Sequence, residues 1–337
     1  MTQFTGWAAK GAGKPLEKFS WDPGPLGPEQ VEIAVEYCGL CHSDLSVVRD
    51  EWKVTTFPVV PGHEVVGRVV ALGEQAKGLA IGDRVGLGWS AESCMHCGEC
   101  MSGNHQLCAK IVPTILGHHG GFADRVRSHW AWAIPLPEDI EMSSTGPLLC
   151  GGVTIFTPIA SYGIKPTDHI GVVGIGGLGH MAVKFANAWG CEVTAFTSSE
   201  SKNAEAREFG AHHVISSRDS SLIAKAARTL DILIITANVS LDWAAMLDTL
   251  KPQGRMHVVG AIPEPLSIPA FSLIFTQREV SGSPTGSPTM ISSMLKFAAR
   301  RKVAPQVEYF PMSRVNDALA HLAAGKARYR IVLNAAE

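Results

Sequence analysis

The spacing of apolar and polar residues changes character near residue 150. Before that point, short alternating or β-branched runs are separated by glycine turns, as in residues 30–36, 65–72 and 84–87. Strands this short and this closely spaced predict a compact β-barrel-like unit. After that point, apolar runs of strand length alternate with segments of helix length, several of them rich in alanine. That alternation predicts βαβ units on a doubly wound parallel sheet, so the expected fold class is α/β.

The second half of the chain predicts a complete sheet with its connecting helices. Strands are expected at residues 170–173, 192–196, 214–215, 232–236 and 255–259, and helices at 180–189, 204–209, 221–229 and 241–250. The run 274–283 predicts an edge strand that can pair with a second copy of the chain. Beyond a hinge at 284–288, helices at 290–300 and 315–324 and a strand at 329–333 are expected to return to the first unit.

The length of the chain, 337 residues, exceeds the size at which a single core keeps growing. We therefore expect two domains. Residues 1–150 together with 286–337 form one, and residues 151–285 form the other.

A glycine loop joins the strand at 170–173 to the helix that follows it. The loop reads Gly174-Ile175-Gly176-Gly177-Leu178-Gly179. In the order strand, loop, helix, strand, such glycines permit a tight turn and let a pyrophosphate approach a helix N-terminus. The sequence therefore predicts a dinucleotide site that is formed by Gly174, Gly176, Gly177, Leu178 and Gly179.

The end of the next strand predicts NADP(H) rather than NAD(H). An NAD-specific site carries a carboxylate about 20 residues after the loop, where it accepts hydrogen bonds from the ribose. Here three hydroxyl residues and Lys202 occupy that region, and hydroxyls with a nearby ammonium can bind a 2′-phosphate. Two alternatives stay open: Glu200 reaches the ribose if the strand end shifts, or Lys202 is an ordinary solvated helix residue. The cofactor contacts expected beyond the loop are Thr197, Ser198, Ser199, Lys202, Val259 and Arg330.

Cys41, His63 and Cys150 make chemical sense together if the fold brings them to one place. Two thiolates and one imidazole suit a zinc ion, and three protein ligands leave a fourth position for water or substrate. Such an open site is catalytic rather than structural. Glu64, next to the imidazole in sequence, is expected beside the same metal.

The residues that follow Cys41 predict a route for the proton. Ser43 lies two residues beyond the thiolate, and its hydroxyl can donate and accept a proton at once. Asp44 is expected to orient the imidazole from outside the metal shell. His42 either carries the proton onward or only pairs with the cofactor.

Four further cysteines lie within fifteen residues and predict a second, closed zinc site. They are Cys94, Cys97, Cys100 and Cys108. Four thiolates complete a tetrahedral shell, so His96 and His105 are left out although they are rival ligands. We expect this second zinc to be structural.

Composition excludes several other classes of function. The formal net charge is −2 with 18% charged residues and no basic block, so nucleic acid is not an expected partner. No stretch approaches the roughly 18 apolar residues of a spanning helix, and the first residues carry no apolar signal region. Eight cysteines without such a signal indicate ligands and thiols in a reducing compartment, so a cytoplasmic location is expected. Cys38 and Cys191 lie in apolar runs and are expected to be inert.

Five segments carry a family resemblance: GLCHSD, PGHEVVGRVV, CMHCGECMSGNHQLC, LLCGGVT and GIGGLGH. Together they resemble the zinc-dependent medium-chain alcohol dehydrogenases, especially the cinnamyl alcohol dehydrogenase-like branch with its bacterial aldehyde reductases. The resemblance implies a GroES-like catalytic domain, divided in sequence around a Rossmann domain. It also implies hydride transfer between a nicotinamide and the carbon of an alcohol or aldehyde, with a homodimer as the expected assembly and a tetramer as the alternative.

The resemblance assigns roles to three further residues and shows two departures. It implies that His42 contacts the cofactor pyrophosphate, and that Trp52 and Trp89 approach a narrow pocket suited to aldehydes with an aromatic or short aliphatic tail. Either tryptophan is otherwise a core residue. Ser46 stands where many relatives carry a histidine of the proton relay, and the segment 109–121 is shorter than is common in the branch.

Two other functions remain open at this point. One is a polyol or secondary-alcohol dehydrogenase, because the four-cysteine segment occurs in several branches of the superfamily. The other is a cofactor-binding protein that has lost its chemistry. That second reading predicts missing zinc ligands, and all three are present in this sequence.

Overall fold

The computed structural model describes residues 3–336. They form two compact units, which are Met1–Val153 with Thr285–Glu337 (the first unit) and Thr154–Pro284 (the second unit). The strands are β1 Phe4–Ala9, β2 Leu16–Trp21, β3 Gln30–Leu40, β4 Glu64–Leu72, β5 Arg84–Leu87, β6 Ser90–Glu92, β7 Val112–Pro113, β8 Arg125–His129, β9 Ile134–Pro135, β10 His169–Val173, β11 Glu192–Thr197, β12 His213–Ser216, β13 Leu230–Ile235, β14 Leu250–Val258, β15 Glu279–Gly282, β16 Val307–Pro311 and β17 Arg330–Asn334. The helices are α1 His42–Arg49, α2 Gly98–Met101, α3 Met142–Thr145, α4 Gly151–Ser161, α5 Gly179–Trp189, α6 Asn203–Glu208, α7 Ser220–Lys225, α8 Trp243–Asp248, α9 Phe271–Ile274, α10 Pro288–Arg301 and α11 Val315–Ala323.

The first unit is built on a mixed sheet in which β3 is the longest strand. The order is β16-β17-β3-β4-β5-β9, and β8 also pairs with β3. Strand β3 runs antiparallel to β4, β8 and β17. Val31 and Ile33 are fully buried, because alternating apolar residues place one face of the strand in the core. Cys38 is also fully buried, and it follows a shift in the register with β4 between Val35 and Tyr37. The strand ends at Leu40, directly before the predicted zinc ligand Cys41.

The second unit is a six-stranded sheet with the order β12-β11-β10-β13-β14-β15, and every pair in it is parallel. Strands β10 and β13 are almost completely buried, as expected for parallel strands that have helices on both faces. Its core includes Val173, Phe196, Leu233, Trp243 and Met246. The predicted fold class, α/β with a doubly wound parallel sheet, is confirmed.

The strand predicted for residues 274–283 is wrong in its first half. Phe271–Ile274 is a short helix, α9, and the strand β15 covers only Glu279–Gly282. A short apolar run does not distinguish helix from strand by its periodicity. The side chains of Phe271, Ile274 and Phe275 are 68%, 64% and 80% exposed, so this run is not a buried strand.

Several predicted segments differ from the structure at their ends, and β14 begins at Leu250 rather than at 255. Helix α7 ends at Lys225 rather than 229, and Arg228 has a φ of 57°, which a helix that reached 229 would not allow. Asp242 accepts a hydrogen bond from the Ala245 amide, so it caps α8 and the helix begins at Trp243 rather than at 241. The residues expected to form a hinge include Ser287, which accepts from the Met290 amide and caps α10. Within residues 3–336, no helix is long and apolar enough to cross a bilayer.

Candidate metal and cofactor sites

Helix α1 positions the first predicted zinc site through the carboxylate of Asp44. Cys41 is the N-cap residue of this helix, and its amide donates to Asp44 Oδ2 over 2.9 Å. The other carboxylate oxygen, Oδ1, accepts from the Gly62 amide at 2.8 Å and lies 2.9 Å from His63 Nδ1. One fully buried side chain therefore joins the segment of Cys41 to the segment of His63 and orients the imidazole.

Cys41, His63, Glu64 and Cys150 come together in the first unit. Each offers one donor atom, and these atoms all lie within 4.8 Å of one another. His63 Nε2 is 3.3 Å from Cys150 Sγ. In a tetrahedral zinc site with ordinary bond lengths a nitrogen and a sulfur ligand are about 3.6 Å apart. The donor set and its spacing fit a zinc ion with three strong ligands and Glu64 beside them.

The charges of this cluster favour a divalent cation. Hydrogen bonding to Cys150 lowers the pKa of the Cys41 thiol well below its ordinary value, although burial opposes the shift. The same hydrogen bond, together with burial, raises the pKa of Cys150. Burial opposes ionisation of His63, but the adjacent Asp44 carboxylate raises its pKa well above the usual range. Both thiols would lose their protons on binding zinc, and the two thiolates with the carboxylates of Asp44 and Glu64 would then place negative charge around the cation.

Arg330 supplies a positive charge on the far side of Glu64. Its guanidinium donates a short hydrogen bond to Glu64 Oε1, and both side chains are buried. Burial raises the pKa of Glu64 to about 7, while Arg330 opposes this shift. Within the described residues, the other oxygen of Glu64, Oε2, has no hydrogen-bond partner. Sequence reasoning named both residues but did not pair them.

Gly39 makes room for this carboxylate and was not identified from the sequence. A Cβ atom at Gly39 would lie 2.0 Å from Glu64 Oε2, far inside any allowed contact. The glycine lies in β3, two residues before Cys41, and its signal in the sequence is a glycine inside an otherwise β-forming run.

The residues expected to move the proton lie around the start of α1. Ser43 Oγ is 3.9 Å from Cys41 Sγ. His42, the first residue of the helix, is exposed to solvent. Ser46 is buried, and its hydroxyl donates to Glu51 Oε2 over 2.6 Å. The position that carries a histidine in many relatives is thus occupied here by a hydroxyl that faces a carboxylate.

Both tryptophans expected in the substrate pocket lie near the metal ligands. The ring of Trp89 meets the His63 ring edge to face, with centroids 5.1 Å apart. Trp52 packs against Trp89 at 6.1 Å and is 40% exposed. The two indoles therefore form an aromatic wall that leads from the solvent to the imidazole.

The four clustered cysteines also form one group. The sulfurs of Cys94 and Cys100 are 3.9 Å apart, and those of Cys97 and Cys108 are 3.9 Å apart. Four thiolates around zinc have sulfurs about 3.8 Å apart, so the spacing fits a closed tetrahedral site. Backbone amides of Cys97 and Lys110 point at two of the sulfurs, each over 3.4 Å, and such contacts stabilise thiolates.

The rival histidines of this segment face elsewhere. His96 Nδ1 lies 2.5 Å from the Cys94 carbonyl oxygen, and the ring of His105 packs against Trp132.

The thiols of the same group differ in pKa. A hydrogen bond from the His96 amide lowers the pKa of Cys94 to about 6, whereas burial raises the pKa of Cys100 to about 11.

The glycine loop lies between β10 and α5 in the second unit. Gly174 has a φ of 92°, which a residue with a side chain rarely adopts, and its carbonyl accepts from the Thr236 hydroxyl at 2.6 Å. A Cβ at Gly176 would meet nothing within 4 Å, so that position is open on the loop surface. Gly177 and Leu178 complete the turn, and Gly179 is the first residue of the helix.

The residues expected to bind a 2′-phosphate follow β11, and Lys202 among them contacts the glycine loop. Thr197 is the last residue of β11, and its Oγ1 accepts from the Ser199 amide at 3.3 Å. Ser198 is exposed. Lys202 Nζ donates to the Ile175 carbonyl of the glycine loop over 2.8 Å, so this lysine is held at the loop rather than solvated on a helix.

Two other residues named from the sequence are Glu200 and Val259. Glu200 is exposed in the turn of 3₁₀-helix that follows Ser199. Val259 directly follows β14, and its amide donates to the carbonyl of Ile235, the last residue of β13, over 3.0 Å. It therefore lies at the carboxyl edge of the parallel sheet, where such sheets bind ligands.

Family comparisons agree with this arrangement. Residues 27–138 match the family described as Alcohol dehydrogenase GroES-like domain, and residues 177–300 match Zinc-binding dehydrogenase. The chain is 51% identical over 328 residues to the aldehyde reductase AdhA of Synechocystis, an alignment that covers 97% of this chain and 98% of the relative. It is 40% identical over 344 residues to a probable cinnamyl alcohol dehydrogenase of Oryza sativa, covering 99% and 96%.

Solved structures of related proteins share the whole fold. A cinnamyl alcohol dehydrogenase of Sorghum bicolor matches with a TM-score of 0.95 and 38% identity, covering 99% of this chain and 98% of that one. The cinnamyl alcohol dehydrogenase of Helicobacter pylori, complexed with NADP(H), matches with a TM-score of 0.91 and 29% identity, covering 100% and 99%. The chain therefore belongs to the zinc-dependent medium-chain alcohol dehydrogenases, in their cinnamyl alcohol dehydrogenase-like branch, and is an oxidoreductase. The family resemblance expected from the five sequence segments is confirmed.

Proposed function

We propose that this enzyme interconverts primary alcohols and aldehydes, aromatic or short aliphatic, by hydride transfer with NADP(H). The observation that carries the proposal is the buried group of Cys41, His63 and Cys150, with Glu64 beside it and an aromatic wall next to the imidazole. Three strong ligands leave one coordination position for a substrate oxygen. Zinc in this position would act as a Lewis acid toward that oxygen.

The chain's own residues orient the site and move the proton. Asp44 fixes the ring of His63 through the 2.9 Å contact to Nδ1. The Ser43 hydroxyl would take the proton that an alcohol loses when a hydride leaves its carbon, and would return it in the reverse direction. Trp52 and Trp89 would exclude water from the alkyl or aryl tail of the substrate and favour flat, apolar aldehydes.

The preference for NADP(H) is supported by the residues after β11. Hydroxyl side chains follow the strand, and the ammonium of Lys202 lies at the glycine loop. A 2′-phosphate would accept hydrogen bonds from these groups, whereas a carboxylate at the strand end would repel it. NAD(H) is the alternative if the exposed Glu200 turns toward the ribose.

The two cysteine groups are proposed to hold zinc ions with different tasks. The open site serves catalysis, and the closed site of Cys94, Cys97, Cys100 and Cys108 stabilises the loop that carries it. In terms of domains, residues 1–150 with 286–337 would hold both metals and residues 151–285 would bind the dinucleotide.

A homodimer through the edge of the parallel sheet is supported by its exposed apolar residues. Strand β15 is the last strand in the sheet order, and Phe271, Ile274 and Phe275 of the adjoining segment are largely exposed. Light scattering on a Phe275→Asp variant would give a monomer if this face joins two copies. A tetramer is the alternative assembly.

The eight free cysteines within the described residues fit a reducing compartment, so we place the enzyme in the cytoplasm.

The proposal is tested by steady-state kinetics on cinnamyl, aliphatic, secondary and polyol substrates with both nicotinamide cofactors. Metal content is measured on the same sample. We expect two zinc ions per chain and the highest kcat/KM for primary aldehydes with NADPH. Cys150→Ser, the control, should lose nearly all turnover and keep its fold. Equal kcat/KM with NADH and NADPH would contradict the cofactor assignment. A higher kcat/KM for polyols than for primary aldehydes would contradict the substrate assignment.

A further inference from the structure

A third group of metal-binding side chains lies in the second unit, apart from both cysteine groups. His169, Glu192 and His213 each offer a donor atom, and these three atoms lie within 4.8 Å of one another. They are the first residues of three neighbouring strands, β10, β11 and β12. The group therefore lies at the amino end of the sheet, whereas the glycine loop follows the carboxyl end of β10.

The register of the sheet explains why these side chains meet. His169 is paired directly with Glu192 across β10 and β11. His213 is paired with Thr194, which is two residues beyond Glu192 on the same strand. Residues two apart on a strand project from the same face, so Glu192 and its two histidine neighbours share one surface. The parallel register of three strands builds the cluster.

The distances of the group are close to those of a bound cation. His213 Nε2 is 2.7 Å from Glu192 Oε1, and His169 Nδ1 is 3.8 Å from Glu192 Oε2. Nitrogen and oxygen ligands of a tetrahedral zinc site are about 3.4 Å apart, so small rotations suffice. The side chains of Glu192 and His213 are about half exposed and can rotate by this amount. The more buried side chain of His169 would keep its position.

The surroundings prepare His169 to act as a ligand. Its Nε2 lies 2.7 Å from Thr194 Oγ1, a hydrogen bond that fixes the ring with Nδ1 toward Glu192. The ammonium of Lys251 is paired with the Asp231 carboxylate at 2.8 Å, and Asp231 also accepts a hydrogen bond from the His169 amide.

We infer that His169, Glu192 and His213 bind a third divalent transition-metal ion, separate from the two zinc ions of the first unit. Two imidazoles and one carboxylate suit Zn²⁺, Co²⁺, Ni²⁺ or Cu²⁺ and disfavour Mg²⁺, which prefers oxygen ligands. Bound there, the ion would join the amino ends of β10, β11 and β12. It would stabilise the second unit and take no part in hydride transfer.

The test uses Co²⁺ added to the zinc-loaded enzyme, with binding followed by calorimetry and visible absorption. Intact enzyme should take up one Co²⁺ per chain without thiolate-to-cobalt absorption, because this site has no sulfur ligand. Glu192→Gln and His213→Gln should each weaken that binding at least about tenfold, and both residues are exposed enough to be replaced without loss of the fold. Mg²⁺ at the same concentration should not compete.

The matched control is His321→Gln. His321 also contacts a glutamate, Glu308, at 2.7 Å, but this pair belongs to no metal-binding group within the described residues. The control should keep the third ion. Absence of an additional Co²⁺ in the intact enzyme would overturn the inference. So would uptake confined to the cysteine sites and seen as thiolate absorption, or binding of Co²⁺ by both variants as tightly as by the intact enzyme.

Discussion

Two nearly identical substitutions in the glycine loop are expected to have different effects. One should weaken cofactor binding, and the other should lower the free energy of unfolding. Gly176→Ala and Gly179→Ala each add one methyl group, three residues apart in the same loop. A Cβ at Gly176 meets no atom within 4 Å, whereas a Cβ at Gly179 would lie 1.8 Å from the Gly174 carbonyl oxygen. The first methyl would therefore fill the space that a pyrophosphate approaches, and the second would collide with the backbone of the loop itself.

The magnitudes follow from these distances. Gly179→Ala forces the loop and α5 apart by more than 1 Å, since ordinary contacts begin at 3.4 Å, and such overpacking costs about 1–3 kcal/mol or more. Gly176→Ala should leave the free energy of unfolding unchanged or raise it by about 0.4–1 kcal/mol, because alanine restricts the unfolded chain. Its cost appears in cofactor affinity, where we expect at least a tenfold loss, about 1.4 kcal/mol.

Two measurements separate these effects. Urea denaturation of the cofactor-free protein gives the free energy of unfolding, and NADPH fluorescence titration gives Kd. If the Gly176→Ala variant binds NADPH as tightly as the parent protein, the pyrophosphate does not approach Gly176. If the Gly179→Ala variant is as stable as the parent protein, Gly179 does not pack closely against the Gly174 carbonyl.

Four other substitutions test the closed zinc site, two buried charged or titratable side chains, and the substrate pocket. Cys97→Ser should release the structural zinc and lower stability before activity, as metal analysis and thermal unfolding would show; full zinc content would contradict the closed site. Arg330→Leu should cost about 3–5 kcal/mol in urea denaturation, because the buried Glu64 carboxylate loses its partner, and adding Glu64→Gln should recover part of the loss. Burial lowers the pKa of His257 to about 4, so its contribution to stability is present near pH 7 and is lost as pH falls from about 6.5 toward 4. His257→Gln should therefore flatten that pH dependence by about 1–3 kcal/mol, and an unchanged slope would contradict the burial argument. Trp89→Ala should widen the substrate range and raise KM for small alcohols, whereas lost stability with unchanged specificity would make Trp89 a packing residue.

Site residues that are close together in the sequence could be predicted from their spacing. The four cysteines of the closed site lie within fifteen residues, and the glycine loop stands between an apolar strand and an alanine-rich helix, so both could be identified without the fold. Cys41, His63 and Cys150 are farther apart, and their grouping depended on metal chemistry and on family resemblance. The structure brings their donor atoms together with that of Glu64.

Features that depend on long-range register could not be predicted. Arg330 and Glu64 are separated by 266 residues, and they come close because β17 and β4 both pair with β3. His169, Glu192 and His213 carry no motif, because their proximity comes from the alignment of three strands. The strand expected at 274–283 begins only at Glu279, because the apolar run before it is too short for its period to distinguish helix from strand, and Ile274 ends helix α9.

The pairing of β17 with β3 also sets an order of events during protein synthesis. Leu40, the residue before Cys41, is paired with Ile331, and Arg330 contacts Glu64. The ribosome must therefore translate all of the second unit before the sheet that carries the zinc ligands can be completed. The second unit, which is continuous in sequence, can fold while the nascent chain is still growing. A chain that ends before β17 would contain Cys41, His63 and Cys150 but would lack Arg330, so the Glu64 carboxylate beside them would have no cationic partner.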